Sequence, residues 1–308
     1  MATILGFARR REAGRSGSSA LQNFLQGFSI EVMPRTAAKI EDFRAILPEN
    51  TRIYIAHVDG TPIEDMVATA KRLREEGFRV MPHLPARSIG SRANLEDWVR
   101  RYADVGVDQA LLLAGGIATS RGELDNSMQL LESGVFDRFG FRRLHVAGHP
   151  EGNKDIVPDG SDHSLMAALR WKAAFAERSD AEMAIVTQFC FEARPVIDWA
   201  NRVRAEGVRL PIHIGVAGPA KLQTLIKFAL SCGIGPSLHV LTRRAADVTK
   251  LVLPFTPLEF LTELAEHKAA HADFAIEAVH FFPLGGIERT GEFVDQYGRP
   301  AGRAAQIA

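Results

Sequence analysis

Glu31 lies near the end of the apolar run Phe28-Ser-Ile-Glu-Val-Met33 and is followed by Pro34, Arg35 and Thr36. A carboxylate at the carboxyl end of a strand, closed by a Pro turn, is poorly placed for packing and well placed for proton transfer. The corresponding position after later apolar runs holds His57 with Asp59, His83, Gly115-Gly116, His149 with Glu151, Gln188, Gly215 with Gly218, and His280 with Phe281 and Phe282. Gly115-Gly116 would let backbone N–H groups approach a phosphate or a flat ring. Arg121 on the following loop, and Arg170 and Lys172 on a later helix, would supply cations for a phosphorylated cofactor. His57, Asp59, His83, His149 and Glu151 are residue types that bind zinc, which keeps a metal-dependent hydrolase or lyase open as an alternative. Each residue alone has a plain structural reading: a satisfied histidine, a turn glycine, a strand-ending proline. Their concentration at run ends points to a ligand site.

These positions make sense if the runs are strands. Short β-branched or apolar stretches at 28–33, 52–57, 79–83, 109–114, 143–147, 183–189, 210–215 and 276–282 alternate with segments of helical periodicity. The helices are expected near 37–47, 63–76, 94–104, 125–133, 164–177, 193–206, 219–231 and 258–271, with an additional one near 240–250. Thr61-Pro62 reads as an N-cap followed by an N1 proline, while Gly77 and Gly207 read as C′ glycines. Eight such pairs fit a single (β/α)8 TIM barrel over 28–308, after an N-terminal tail and short helix at 1–27. A doubly wound open sheet is the alternative, but no G-x-G-x-x-G follows the first strand.

Composition narrows the partners. The 308 residues carry 37 basic and 37 acidic side chains, so no bulk charge draws the chain to nucleic acid or an anionic membrane. No apolar run approaches the roughly 20 residues that cross a bilayer. Cys190 and Cys232 sit in apolar contexts without metal spacing and read as reduced core thiols of a cytoplasmic protein. Residues 7–19 are rich in Arg and Ser, which superficially resembles an organellar transit peptide; a solvated tail is the expectation. Barrel enzymes commonly associate, so a homo-oligomer is expected.

Several of these segments, in order along nearly the whole chain, resemble the methylenetetrahydrofolate reductase family. Glu31-Val-Met-Pro-Arg-Thr36 is similar to its Glu-x-x-Pro-(Pro)-Arg-Thr motif, and Pro82-His-Leu84 to its His-Leu after the third strand. Ala147-Gly-His-Pro-Glu-Gly152 resembles its Ala-Tyr-Pro-Glu, Ile185-Val-Thr-Gln-Phe189 its Ile-Thr-Gln-Phe-Phe, and His280-Phe-Phe282 its His-Phe-Tyr. The resemblance implies a barrel that binds FAD non-covalently and transfers hydride between the flavin and a tetrahydrofolate derivative, interconverting 5,10-methylene- and 5-methyltetrahydrofolate. By the motif match Glu31 would be the general acid, with burial against the flavin keeping its carboxyl protonated near neutrality. Gln188, Leu222 and Phe282 would meet the folate. His57, His83, Gly115, Gly116, His149, Asn153, Arg170 and Lys172 would lie along the FAD.

Three departures stand out. The family's Leu-Arg-Gly-Asp after the fourth strand reads Leu113-Ala-Gly-Gly116, so the Arg and the Asp beside the flavin are missing. The aromatic that stacks on nicotinamide and folate aligns with Leu222, and the family's Leu-Asn-Arg reads Leu284-Gly-Gly286. The last two leave an NAD(P)H site uncertain. Loss of the Asp removes a negative charge near the isoalloxazine, which favours reduced flavin; loss of the Arg acts oppositely. If the Asp dominates, the chemistry leans towards oxidising 5-methyltetrahydrofolate. A folate-binding paralogue without turnover is the remaining alternative.

Overall fold

A computed structural model describes residues 18–153, 162–231, 241 and 254–298. Eight parallel strands close into a barrel in sequence order, with β8 returning to β1. They are β1 (Ser29–Val32), β2 (Arg52–Ile55), β3 (Arg79–Pro85), β4 (Gln109–Leu113), β5 (Arg143–Gly148), β6 (Glu182–Cys190), β7 (Ile212–Ala217) and β8 (Ile276–Phe282). The chain therefore forms a (β/α)8 barrel. Each expected strand lies within two residues of its observed bounds.

The outer layer follows from helical spacing. α1 (Ser19–Leu25) precedes β1, and the one-turn α2 (Pro34–Ala37) follows it. Then come α3 (Ile63–Glu75), α4 (Arg92–Asp104), the short α5 (Ser127–Glu132) and α6 (Val135–Arg138), α7 (His163–Ala176), α8 (Ala193–Ala205), α9 (Leu222–Ser231), α10 (Leu258–Ala270) and α11 (Ile287–Gly298). α3 buries Met66, Ala70 and Leu73, and α4 buries Leu95, Val99 and Tyr102, each set on one face against the outward side chains of the strands. Gly77 and Gly207 adopt φ of 91° and 82° just past α3 and α8, the left-handed conformation a C′ glycine supplies. Ser18 caps α1 through Leu21 N, and Leu21, Phe24 and Leu25 pack the helix beside α10 and α11.

Three expectations change. The helix expected at 37–47 is replaced by α2 and a 3-10 turn at Phe43–Ala45. Arg72 on α3 donates to the carbonyls of Ala37, Ile40 and Glu41, and Glu76 accepts from Phe43 N, so tertiary partners take the groups a helix would have paired. At α3 the N-cap is Pro62, without a side-chain cap, and Thr61 does not serve. α11 had no counterpart in the sequence reading, although Ile287, Thr290, Gly291, Phe293 and Val294 form its buried face. The helix expected at 240–250, apart from the buried Leu241, most of the N-terminal tail, and Cys232 lie outside the described residues. Cys190 is buried, and its surroundings push the thiol pKa well up, consistent with an inert core thiol.

The barrel interior is unusually polar. Inward positions of such barrels are ordinarily filled by Val, Ile and Leu. Here a buried apolar layer of Tyr54, Met81, Leu111 and Val186 is interleaved with buried Ser29, Arg52, His145, His213 and His280.

Candidate active site

The carboxyl ends of the strands bring Glu31, His83 and His280 together. Glu31 Oε2 lies 3.3 Å from His83 Nε2 and 3.8 Å from His280 Nε2. β1 and β3 are separated by β2, so the Glu31–His83 approach crosses the barrel mouth. Both histidine nitrogens are buried and neither has an aligned hydrogen bond, leaving two orphaned polar atoms beside one carboxylate. His280 Nδ1 is 2.9 Å from Ser29 Oγ, which fixes that ring from below.

Burial alone would raise the Glu31 pKa. The charge of His83, reinforced by the polar contacts of His280 and His83, outweighs it and brings the carboxyl to about 2. The side chain keeps 19% exposure, so its desolvation is partial, which agrees with the ionised form. In the protein alone the carboxyl is held low because its neighbours are imidazoles rather than an apolar wall; the expectation of a protonated carboxyl rests on burial against the flavin. Burial is the main cause lowering the His280 pKa, with Glu31 opposing it.

Beneath this cluster, Tyr54 Oη pairs with His145 Nδ1 at 2.6 Å, joining β2 to β5 across the interior. The His145 and His213 rings meet edge to face at 4.8 Å. Burial drives both well below the ordinary imidazole range, His213 to about 3, so these rings are neutral polar packing. Sequence reading missed Ser29, Tyr54, His145 and His213. Their trace is the polar residue at alternate positions of apolar strands, as in Arg52-Ile-Tyr-Ile55 and Ile212-His-Ile-Gly215.

Gln188 sits in a bulge near the carboxyl end of β6. β6 pairs Val186 with His213 and then Phe189 with Gly215, so Thr187 and Gln188 together oppose Ile214. Thr187 Oγ1 stabilises the bulge by accepting from Gly215 N and donating to Gln188 O, each at 2.8 Å. A Cβ on Gly215 would stand 2.4 Å from Thr187 O and 2.5 Å from Gln188 O, so only glycine admits this close approach. Phe282 lies against the mouth, its ring centroid 4.9 Å from that of His280 and 5.5 Å from that of Phe189. Leu222 differs from the expectation: it is buried, within an apolar cluster with Phe189, Phe191, Leu225 and Phe255 against which Phe282 also packs.

The β3–β5 side holds the remaining candidates. Gly115 has φ of 102° and would bring a Cβ within 3.0 Å of Pro85, while Gly116 has open space around it. Arg87 pins this turn, accepting Arg121 N on its carbonyl and donating from its own N to Ala114 O and from its side chain to Ile117 O and Asp125. His57 stacks near Trp98 with centroids 5.6 Å apart, and Asp59 pairs with Arg121 at 2.8 Å. His149 and Lys172 line one small cavity of about 50 Å³. Lys172 is buried without an ion pair or hydrogen bond among the described residues; burial lowers its pKa to about 8. Burial and then Lys172 lower His149 to about 4. Arg170 does not join them. Two residues from Lys172 on α7, it is drawn away and paired with Glu206. Asn153 is at the edge of the described residues. Among those residues, no group of three or more His, Cys, Asp or Glu could hold a metal ion.

No family model matches the chain. The chain is similar to a 2,3-dimethylmalate lyase of the PEP mutase/isocitrate lyase superfamily, at 14% identity over 70% of this chain and 72% of that one, with a TM-score of 0.43. It is similar also to the carboxyl transferase domain of Rhizobium etli pyruvate carboxylase, at 12% identity over 83% of this chain, with a TM-score of 0.42. The chain spans about half, 49%, of the length of that second protein.

Proposed function

We propose that this protein is a flavin-dependent oxidoreductase acting on a tetrahydrofolate derivative, working in the direction of 5-methyltetrahydrofolate oxidation. The observation that carries the reading is Glu31 at the barrel mouth, its Oε2 3.3 Å from His83 Nε2 and 3.8 Å from His280 Nε2. The ordered resemblance to methylenetetrahydrofolate reductases supplies the substrate class, since the geometry alone is compatible with other proton-transfer chemistry.

The residues present fit FAD. Lys172 is a buried cation with no ion pair among the described residues, as an anionic cofactor group requires; His149 shares its cavity, which Asp162, paired with Arg202, also borders. Gly115 and Gly116 leave backbone accessible at the end of β4. In this reading Lys172 and His149 hold the phosphate-bearing part, and His83 with the Gly115-Gly116 turn borders the ring. Leu222 is left out, and so is Arg170. When bound, the flavin supplies the hydride acceptor.

Glu31 then acts as a base. Loss of hydride from the N5-methyl group leaves an iminium, which N10 attacks to close the ring; one C–N bond forms and N10 gives up its proton. The carboxylate is ionised at neutral pH and so can accept that proton, but a pKa of about 2 makes it a weak base, and burial by bound flavin and substrate would raise it towards the working range. Gln188, re-aimed by the bulge, would hydrogen-bond the pterin.

The test is anaerobic mixing of the flavin-loaded protein with 5-methyltetrahydrofolate while following the flavin band. Bleaching is expected, slowed by about 10²-fold or more in Glu31→Gln, the range of acid–base catalysis. A protein that binds no flavin, or whose flavin stays oxidised, sinks the proposal.

A further inference from the structure

A second site is present at the opposite end of the barrel, independent of the folate reading. Arg52, Arg79 and Arg143 occupy the amino ends of β2, β3 and β5. Arg52 Nε donates to Gln109 Oε1 at 2.9 Å. β2 and β4 are not neighbours, so this bond passes beneath β3 and places the Arg52 guanidinium inside the barrel floor. The residue is only 8% exposed, yet among the described residues it has no carboxylate in ion-pair reach and its terminal nitrogens have no hydrogen bond.

A buried guanidinium is ordinarily paired, because desolvating an unpaired charge is costly. Here arginines dominate the neighbouring charge, with Asp108 a weaker opposing one. Arg79 is the Cα partner of Arg52 in the β2–β3 register and likewise has no acid in ion-pair reach among the described residues. Arg143 is committed to Glu182. Burial, relieved partly by Tyr54 and deepened by Arg143 and Arg79, lowers the Arg52 pKa. Two adjacent guanidiniums, one of them buried, thus face the same side with donors to spare.

Both line a cleft of about 900 Å³. Its wall includes Phe28, Ile46, Leu47 and Val294, which are apolar, and two acids, Glu49 and Asp295, also border it. The volume is that of a small-molecule site, with an apolar side for an organic body and planar donor forks for a tetrahedral oxyanion. We infer that this floor cleft binds a phosphorylated small molecule, with Arg52 and Arg79 holding the phosphate.

Inorganic pyrophosphate is the probe, titrated against the full chain in a phosphate-free buffer with thermal melting as the readout. A saturable rise in Tm is expected that sodium chloride of matched ionic strength does not reproduce. Arg52→Gln and Arg79→Gln should each weaken apparent affinity by about tenfold or more, as losing charge-assisted bonds does. Lys172→Met, at the other end of the barrel, should leave this binding intact. Arg79 is exposed, so Arg79→Gln decides the matter even if Arg52→Gln fails to fold. The inference is overturned if no saturable shift occurs, if salt gives the same shift, if Arg79→Gln binds as the unaltered protein does, or if the binding disappears with Lys172→Met. None of these outcomes depends on folate or flavin chemistry.

Discussion

Replacing Glu31 by Gln should change how the stability of this protein responds to acid. In the folded protein the carboxyl ionises at about 2, against 4.5 as its ordinary value. A group whose folded pKa is depressed adds stability that is fully present above the unfolded pKa and lost as pH falls through the folded one. Between pH 4.5 and 2 the unfolded chain binds the proton and the folded protein does not. The difference corresponds to about 3 kcal/mol at pH 6, taking roughly 1.4 kcal/mol for each tenfold change in proton affinity. Gln resembles the protonated carboxyl and lacks this contribution at every pH. Urea unfolding of both proteins at pH 6, 4, 3 and 2.5, with equal m-values as the check on two-state behaviour, measures the gap. The remaining carboxylates titrate alike in both proteins and cancel, whereas His280, whose pKa Glu31 raises, does not, so the gap reports the carboxyl together with that histidine. The gap should favour the native Glu by about 3 kcal/mol more at pH 6 than near pH 2. Parallel stability curves would refute the ionised assignment. A gap that moves the opposite way would mean a carboxyl protonated near neutrality, and would return Glu31 to the role of an acid.

Two further substitutions probe the elements that hold the site. Tyr54→Phe removes the hydroxyl from a buried 2.6 Å pair and leaves His145 Nδ1 unmatched, which should cost about 1–3 kcal/mol in urea unfolding; a loss below about 0.5 kcal/mol would show that the pair contributes little. Gly215→Ala forces a methyl against the carbonyls of Thr187 and Gln188 and should lower stability by about 1–3 kcal/mol or more, with Tm falling accordingly. An unchanged melting curve would mean that the bulge relaxes freely.

The barrel was legible because its alternation is local: apolar β-branched runs, helical stripes and C′ glycines each carry their own spacing. The helix misread at 37–47 was not, because Arg72 and Glu76 on α3 capture its backbone groups from across space. Glu31, His83 and Gln188 could be found as strand-end residues, and the structure brings the first two within 3.3 Å. The state of Glu31 could not be read in the same way. It depends on whether a histidine or an apolar wall faces the carboxyl, and His83 comes from a strand two positions away in the barrel. Leu222 and Arg170 show the converse limit. Motif alignment put both at the ligand, but a side chain's direction follows from packing, which seats Leu222 in an apolar cluster and turns Arg170 to Glu206. The floor arginines were visible only as strand-opening residues, a position where solvated charge is the ordinary reading.

The polar interior connects these observations. A barrel filled with Val and Leu would surround Glu31 with low dielectric and raise its pKa, which suits an acid. This barrel instead places neutral His145 and His213, the Tyr54 hydroxyl and the Ser29–His280 pair beneath the mouth. Dipoles that can orient towards a carboxylate stabilise its charge without adding one, and they do so from fixed strands rather than mobile loops. Replacing Val or Leu packing with hydrogen-bonded rings is neutral for stability only when every group is matched. Three nitrogens in this interior are not matched: His213 Nδ1 in the layer beneath, and His83 Nε2 and His280 Nε2, the pair beside Glu31. Two of the three thus border the carboxylate at the mouth, where polar groups of a bound substrate could reach them.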